Sequence, residues 1–351
     1  MAAAVNSSDE PTLVTGATGF IGRHVVNTLL RRGRRLRLLC RNTNKARRLF
    51  GPEIEIVEGD LLDASSLARA CRGMRSVFNL AGGYEFGPAH RKWMWQVNVE
   101  GTEQLLAACW QARVERVLHC STAGILFAAG RLVRESDFPA NPPRACHYKQ
   151  SKWHGERGAL SWAARGLPVV IASPTVPIGA GDERPTPSGR MFLDLLRGRF
   201  PACSRTGLNV IAVEDLAEGL LAVERAGEHG QRYVLGNDNI WLHELMALAA
   251  ELAGRPAPRA VVPLPLVALG GLLGEAWGLL TRTRNNRLCW ETAYFAHQRQ
   301  FFDVTRTQTA LNWQPRIPIR AAVGNAVAWF AGFTPECQTV PEVSRGSPVS
   351  P

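Results

Sequence analysis

The chain has 351 residues, 46% of them hydrophobic, and 41 Lys and Arg against 30 Asp and Glu give a formal net charge of +11. That is enough apolar material for one large α/β unit with a smaller lobe, and the scattered arginines, with no aromatic-interleaved basic motif, argue against a nucleic-acid partner. The eight cysteines (40, 71, 109, 120, 146, 203, 289 and 337) show no Cys-x-x-Cys and no Cys/His cluster of zinc spacing, so no metal is expected and all are read as reduced and structural.

Residues 1–10 are small and polar, without the basic and apolar regions of a signal peptide. They read as a flexible N-terminus, and a cytoplasmic location is expected. Pro11–Thr15 is a strand-like run, and Phe20–Leu30 has the apolar spacing of a helix. Between them lies Thr15-Gly-Ala-Thr-Gly-Phe-Ile-Gly22. Gly16 can take backbone angles closed to other residues, Gly19 allows close approach to a pyrophosphate, and Gly22 lets the helix pack on the sheet. The helix N-terminus offers N–H groups and a partial positive charge to phosphates. Cofactor contacts are therefore expected at Gly16, Thr18, Gly19, Phe20, Ile21 and Gly22.

The next strand, Arg35–Cys40, runs into Arg41, and no acidic residue lies between Gly33 and Phe50. A cofactor lacking a 2′-phosphate usually meets an Asp or Glu near here. Arg41, with Arg37 or Lys45 nearby, suits the 2′-phosphate of NADP, so NADP is favoured and NAD kept open; the alternative is a solvated basic face over Arg34–Arg48. Strand Glu53–Val57 leads to Asp60, placed to bond an adenine amino group, and Leu61. Strand Ser76–Leu80 leads to Ala81 and Gly82, where strand ends converge on a cofactor in a parallel sheet.

Strand Glu115–Cys120 ends in Ser121 and Thr122, whose hydroxyls can orient a substrate oxygen. Tyr148 and Lys152 share one face of a helix running to about Ala164, because positions i and i+4 stack. A free tyrosine has a pKa of about 10. A nearby lysine cation favours the phenolate and is expected to lower that value. The lysine can also bond a nicotinamide ribose.

A sixth strand is expected near 168–173. The alternation of strands and helices from Pro11 to about Ser173 predicts a parallel, doubly wound sheet. After Pro174 the pattern breaks into a Pro- and Gly-rich loop through Arg190, then a helix over Met191–Arg197. Val210–Val213 reads as a strand that returns to the main sheet, followed by a helix over Glu214–Arg225. Helices near 241–253, 265–280 and 318–331, with short strands near 231–235 and 259–262, are assigned to a substrate lobe. Ala260–Gly274 carries no charge. It is too short to span a membrane, and a buried helix is favoured over a membrane-surface contact aided by Arg282, Arg284 and Arg287. Residues 334–351 read as a disordered tail.

Gly16–Gly22, Asn98-Val99-x-Gly101-Thr102, Ser121-Thr122 and Tyr148-x-x-x-Lys152 together resemble the extended short-chain dehydrogenase/reductases, the NAD(P)-dependent epimerase/dehydratase family. The segments Gly166–Ile171, Pro174, Pro185–Arg190 and Leu311–Pro315 are most similar to dihydroflavonol-4-reductase-like proteins and hopanoid-associated sugar epimerases. The resemblance covers nearly all of residues 11–333. It implies a Rossmann-type doubly wound parallel sheet over 11–175 with a smaller C-terminal substrate lobe, mainly 176–333. It also implies that Tyr148 is the general acid/base, Lys152 its partner, Thr122 the catalytic hydroxyl, Asn98 the helix asparagine, and Pro174 a contact of the nicotinamide. Two departures stand out. Asn79-Leu80-Ala81-Gly82 replaces the common His-x-Ala-Ala, and Thr122 is followed by Ala123-Gly124 instead of the Asp-Glu of sugar dehydratases. A dehydratase is disfavoured.

The expected activity is an NADP-dependent oxidoreductase acting on a hydrophobic or ring-bearing carbonyl compound. A sugar epimerase with the same residues is the first alternative. A non-catalytic NADP-binding sensor with a protein partner is the second, disfavoured because Thr122, Tyr148 and Lys152 are all present. Tyr84, Phe86, Thr175, Met191 and Phe192 are expected to line the substrate pocket, with Arg190 an anion anchor or a surface cap. A homodimer is left open.

Overall fold

Thr12–Thr15 (β1) is wholly buried, so it can only be a central strand, and the glycine turn after it delivers the chain into α1 (Phe20–Arg31). The unit repeats through β2 (Leu36–Cys40), α2 (Thr43–Phe50), β3 (Glu55–Glu58), α3 (Ala64–Cys71) and β4 (Ser76–Asn79). α4 (Arg91–Trp95) passes through one turn of π-helix, Gln96–Glu100, into α5 (Gly101–Gln111). Next come β5 (Arg116–Cys120), α6 (His147–Ala164) and β6 (Val169–Pro174). The computed structural model describes residues 10–85, 87–200, 202–281, 290–296 and 298–333. Phe86, Arg282, Arg284, Arg287, Cys289, Cys337 and the segments 1–9 and 334–351 lie outside them.

The second half contributes β7 (Val176–Ile178), α7 (Pro187–Leu196), β8 (Ala202–Cys203), β9 (Gly207–Ala212), α8 (Val213–Ala226), β10 (Arg232–Leu235), β11 (Asp238–Trp241) and α9 (Leu242–Leu252). It ends with β12 (Ala260–Val261), α10 (Leu264–Thr281), α11 (Trp290–Phe295), α12 (Thr305–Leu311) and α13 (Ile319–Ala331).

Seven parallel strands form the main sheet in the order β10-β6-β5-β4-β1-β2-β3, a Rossmann-type α/β fold. The order reverses between β1 and β4, which opens a crevice at their C-terminal ends. One face is covered by α1 and α8 over Val14, Leu38, Phe78 and Leu118. The other is covered by α3, α5 and α6 over Leu13, Val77, Val117 and Ile171. Alternate residues of each strand thus feed opposite cores. A separate core, with Phe192, Val210, Met246 and Phe330, holds the second lobe together.

Two expectations are corrected. The strand at 207–212 does not join the main sheet; β9 pairs with β7 and β11 in a three-stranded sheet. The edge beside β6 is taken by β10, whose Tyr233, Val234 and Leu235 are almost wholly buried there. α8 also returns and packs on α1. Secondly, the uncharged stretch does form a helix, α10, but it is not buried: Leu273 is 62% and Trp277 68% exposed. Among the described residues no helix is long and apolar enough to cross a membrane. The six described cysteines are buried and unbridged. Burial pushes the Cys40 thiol up to about 11, as expected of a small core hydrophobe.

Candidate active site

A cavity of about 690 Å³ lies where the ends of β1, β4, β5 and β6 face the second lobe. Its sheet side is the glycine turn. Gly16 has φ +69°, and a Cβ there would sit 2.6 Å from the Ala81 nitrogen. A Cβ on Gly22 would sit 2.1 Å from the Gly16 carbonyl oxygen. Gly16, Gly19, Phe20, Ile21 and Gly22 line the cavity, while Thr18 is half-buried outside the lining. α1 begins at extended Gly19 with no side-chain cap, leaving its first-turn N–H groups to an anion. This is a cradle that fits a dinucleotide pyrophosphate. Gly22→Ala is expected to abolish cofactor binding measured by titration, because its methyl would displace the turn.

Arg41 follows β2, is exposed, and has its guanidinium 3.7 Å from the Asp60 carboxylate at the end of β3. Asp60 also accepts from the Leu62 nitrogen at 3.0 Å. Leu61 is buried against Gly101 at the start of α5, outside the lining. Arg37 is corrected as a phosphate ligand. It is held by Glu55 at 2.7 Å and by the carbonyls of Ala70 at 2.9 Å and Arg72 at 2.7 Å. Lys45 lies 3.1 Å from Glu183.

The departing loop after β4 is fixed by a polar chain. The Ala81 nitrogen donates to the Thr15 hydroxyl at 3.2 Å, which donates to Asn79 Oδ1 at 3.0 Å. Asn79 Nδ2 lies 3.1 Å from His119 Nδ1. Burial, then the Lys152 cation, pushes His119 down to about 3, so it is a neutral partner. Gly82 lines the cavity beyond this loop; Ala81 does not.

Tyr148 sits in the first turn of α6, hydrogen-bonded to the Thr122 hydroxyl. That hydroxyl also accepts from the Gly124 nitrogen at 3.2 Å. Tyr84 packs on the phenol, ring centroids 4.3 Å apart and tilted 37°. Lys152 is buried one turn on and donates to the Cys120 carbonyl at 2.7 Å. Burial lowers its pKa. The expectation that the lysine lowers the Tyr148 pKa is corrected. Burial raises it and outweighs the opposing Thr122 hydrogen bond. Tyr148 is a protonated phenol. Ser121 lines the cavity as well, but its hydroxyl donates to the buried carboxylate of Glu156, whereas the Thr122 hydroxyl is bonded to Tyr148.

Asn98 does not line the cavity. Its amide accepts from the Gly83 nitrogen at 2.7 Å and donates to the Gly83 carbonyl at 3.0 Å and the Ser151 hydroxyl at 2.9 Å. It thus ties the loop after β4 to α6. A Cβ on Gly155 would lie 2.3 Å from the Asn98 carbonyl oxygen, so glycine is what lets α6 pack on the π-turn.

Sequence reasoning missed two buried acids. Glu291 accepts from the His147 nitrogen at 2.6 Å and the Gly87 nitrogen at 2.9 Å, pinning the start of α6 beside Tyr148. Glu156 carries Ser121 and the Arg232 guanidinium of β10. Its spacing, four residues past Lys152, was a readable signal; Glu291 had none.

On the lobe side Tyr84, Pro174, Thr175, Arg190 and Met191 all line the cavity. Phe192 does not: it is buried in the lobe core, because its side of α7 faces α9 and α13. Arg190 is bonded to Glu85 at 3.3 Å, and Arg184 lies 3.6 Å from the same carboxylate. Among the described residues the cavity's basic groups are Lys152 and Arg190, both engaged. Val176, Phe200, Leu208, Leu242 and Phe302 make much of the remainder apolar. No group of three or more His, Cys, Asp or Glu among the described residues could hold a metal.

Known proteins resemble this chain in sequence and in fold. The family described as "NAD dependent epimerase/dehydratase family" matches residues 12–236. A Synechocystis protein with the provisional name dihydroflavonol 4-reductase is 33% identical over 323 residues, 90% of this chain and 93% of its own. "Sterol demethylase protein B" of Methylococcus capsulatus is 30% identical, with 91% and 98% covered. A solved nucleoside-diphosphate-sugar epimerase from Pseudomonas aeruginosa superposes with a TM-score of 0.75 at 27% identity, covering 92% of this chain and 97% of that one.

Proposed function

Because the chain belongs to the NAD dependent epimerase/dehydratase family, we propose that it reduces the carbonyl group of an apolar, ring-bearing small molecule with NADPH. The family makes it an NAD(P)-dependent enzyme of the short-chain dehydrogenase/reductase superfamily, with an oxidoreductase or epimerase role. The observation that carries the finer reading is the cavity's lobe side: it is largely apolar, and its one arginine is already paired with Glu85. A nucleotide sugar brings a diphosphate, which calls for several convergent basic groups. The names of two relatives, a dihydroflavonol reductase and a sterol demethylase protein, also refer to ring systems.

The turn Gly16–Gly22 would hold the pyrophosphate, and Lys152 and Pro174 would flank the nicotinamide. When bound, the cofactor supplies the hydride. Tyr148 gives its proton to the substrate oxygen, and Thr122 holds that oxygen beside the phenol. Lys152 keeps donors beyond the one spent on Cys120 for a ribose hydroxyl. Glu291 and Asn98 fix the helix that carries Tyr148.

Because burial raises the Tyr148 pKa, the acid form persists well above neutrality. The reductive kcat/KM is expected to stay flat from about pH 7 to about pH 9. Oxidation needs the phenolate and is expected to climb over the same window. A reductive rate that fell tenfold there would place the essential proton elsewhere.

Arg41 supports NADP over NAD, since it is exposed at the end of β2 where the acidic residue of an NAD site would stand. NADP is expected to bind more tightly. Arg41→Ala is expected to narrow the gap by about 1–3 kcal/mol, the scale of a hydrogen bond to a charged group. Titrating both cofactors against both proteins checks this; equal affinities in the wild type would contradict it.

The second reading, a sugar epimerase, is favoured by the fold match to the Pseudomonas enzyme. Elimination is disfavoured because Ala123 and Gly124 follow Thr122, with no acid pair. Comparing kcat/KM on matched cyclic ketones and nucleotide sugars tests the proposal. Preference for the ketones supports it, and preference for the sugars overturns it.

A further inference from the structure

We propose that the outward face of α10 docks on an anionic lipid bilayer. Leu264–Thr281 contains a single charged residue, Glu275. Its carboxylate is turned inward, 3.3 Å from Arg91 and accepting from the Trp290 nitrogen at 3.2 Å. The opposite face carries Leu266, Leu269, Leu272, Leu273 and Trp277, each more than half exposed. At about 100° per residue these share an arc about 140° wide. An ordinary surface helix has the reverse arrangement, with charge outward and leucine inward. Single exposed leucines are unremarkable, but a contiguous apolar face marks a partner.

Charge selects the occupant. The chain carries +11, and the sequence continues from the helix with Arg282, Arg284 and Arg287. A second copy would carry the same net charge of +11, whereas anionic headgroups complement it. The geometry is that of a helix lying in the interface, its leucines among acyl chains and its tryptophan near the headgroups. The helix is also continuous with the active site, since Val267 and Gly271 on its inner side line the cavity. An apolar substrate held in the bilayer would therefore meet the enzyme beside its own pocket. That last clause rests on the substrate reading above; the docking does not.

The test is co-sedimentation of the full chain with vesicles of phosphatidylcholine alone and of phosphatidylcholine with phosphatidylglycerol. Binding to the anionic vesicles is expected to be about tenfold stronger and to weaken with salt. The paired variant Leu269→Glu, Leu273→Glu is expected to lose about tenfold or more of that binding, with unfolding temperature and NADP affinity unchanged. The pair Leu269→Ser, Leu273→Ser, which adds no charge, carries the same expectation should the glutamates disturb the helix. A wild type that stays in solution with both vesicles overturns the proposal, as do variants that bind like wild type. Equal binding to both vesicles overturns the anionic assignment. A wild-type dimer that the variants dissociate, without vesicle binding, assigns the face to self-association. No substrate enters the assay, so inactivity on ketones and absence of docking are separable results.

Discussion

Tyr148→Phe is expected to lower kcat by about 10²–10⁴-fold, the worth of general acid assistance, while cofactor affinity stays nearly intact. The substitution removes one oxygen from a ring already packed on Tyr84 and leaves α6, Lys152 and Thr122 in place. Burial raises the pKa of the phenol, which is bonded to Thr122, and in the proposed reaction the lost atom is the proton donor. Cofactor titration separates the two effects: unchanged affinity with a collapsed rate marks a proton donor. A variant with wild-type kcat would show that Tyr148 is only a packing residue.

Arg232→Met is expected to destabilise the protein by about 3–5 kcal/mol, the cost of leaving one buried charge without its partner. The Glu156 side chain is 0% exposed, and that of Arg232 11%. Arg232 also donates to the Glu135 carbonyl at 2.8 Å, tying β10 to the loop after β5. Replacing Glu156 and Arg232 together by methionine is expected to recover part of the loss, because no unpaired charge then remains. Denaturant midpoints of the three proteins measure this. A loss under about 1 kcal/mol in the single variant would mean that the carboxylate reaches water or takes up a proton.

The parts of the site that were legible are those fixed by short spacing. Gly16, Gly19 and Gly22 declare a tight turn because no side chain fits there, and Tyr148 and Lys152 share a helix face whatever surrounds them. The strand alternation of the first half likewise gave the parallel sheet, since each strand carries its own apolar run. What stayed hidden depends on partners far along the chain. Whether Arg37 or Arg190 is free for a phosphate is decided by Glu55 and Glu85, which carry no local mark of that pairing. Ser121 and Thr122 are equivalent as letters, and only Glu156 beneath the sheet end draws the first away. The edge of the sheet was misread because β9 and β10 are both short apolar runs, and the choice between them is made by the lobe that claims β9. The direction of the tyrosine's pKa shift is set by how deeply the phenol is buried, which the spacing of Tyr148 and Lys152 does not carry.

The central claim is net reduction by a buried phenol in an apolar cavity. The most direct measurement is the ratio of NADPH consumed to product formed, taken in parallel on a cyclic apolar ketone and on a nucleotide sugar. One NADPH is expected to disappear for each alcohol formed from the ketone, with the sugar left unchanged. Epimerisation of the sugar with no net NADPH loss, and no reaction of the ketone, would contradict the account.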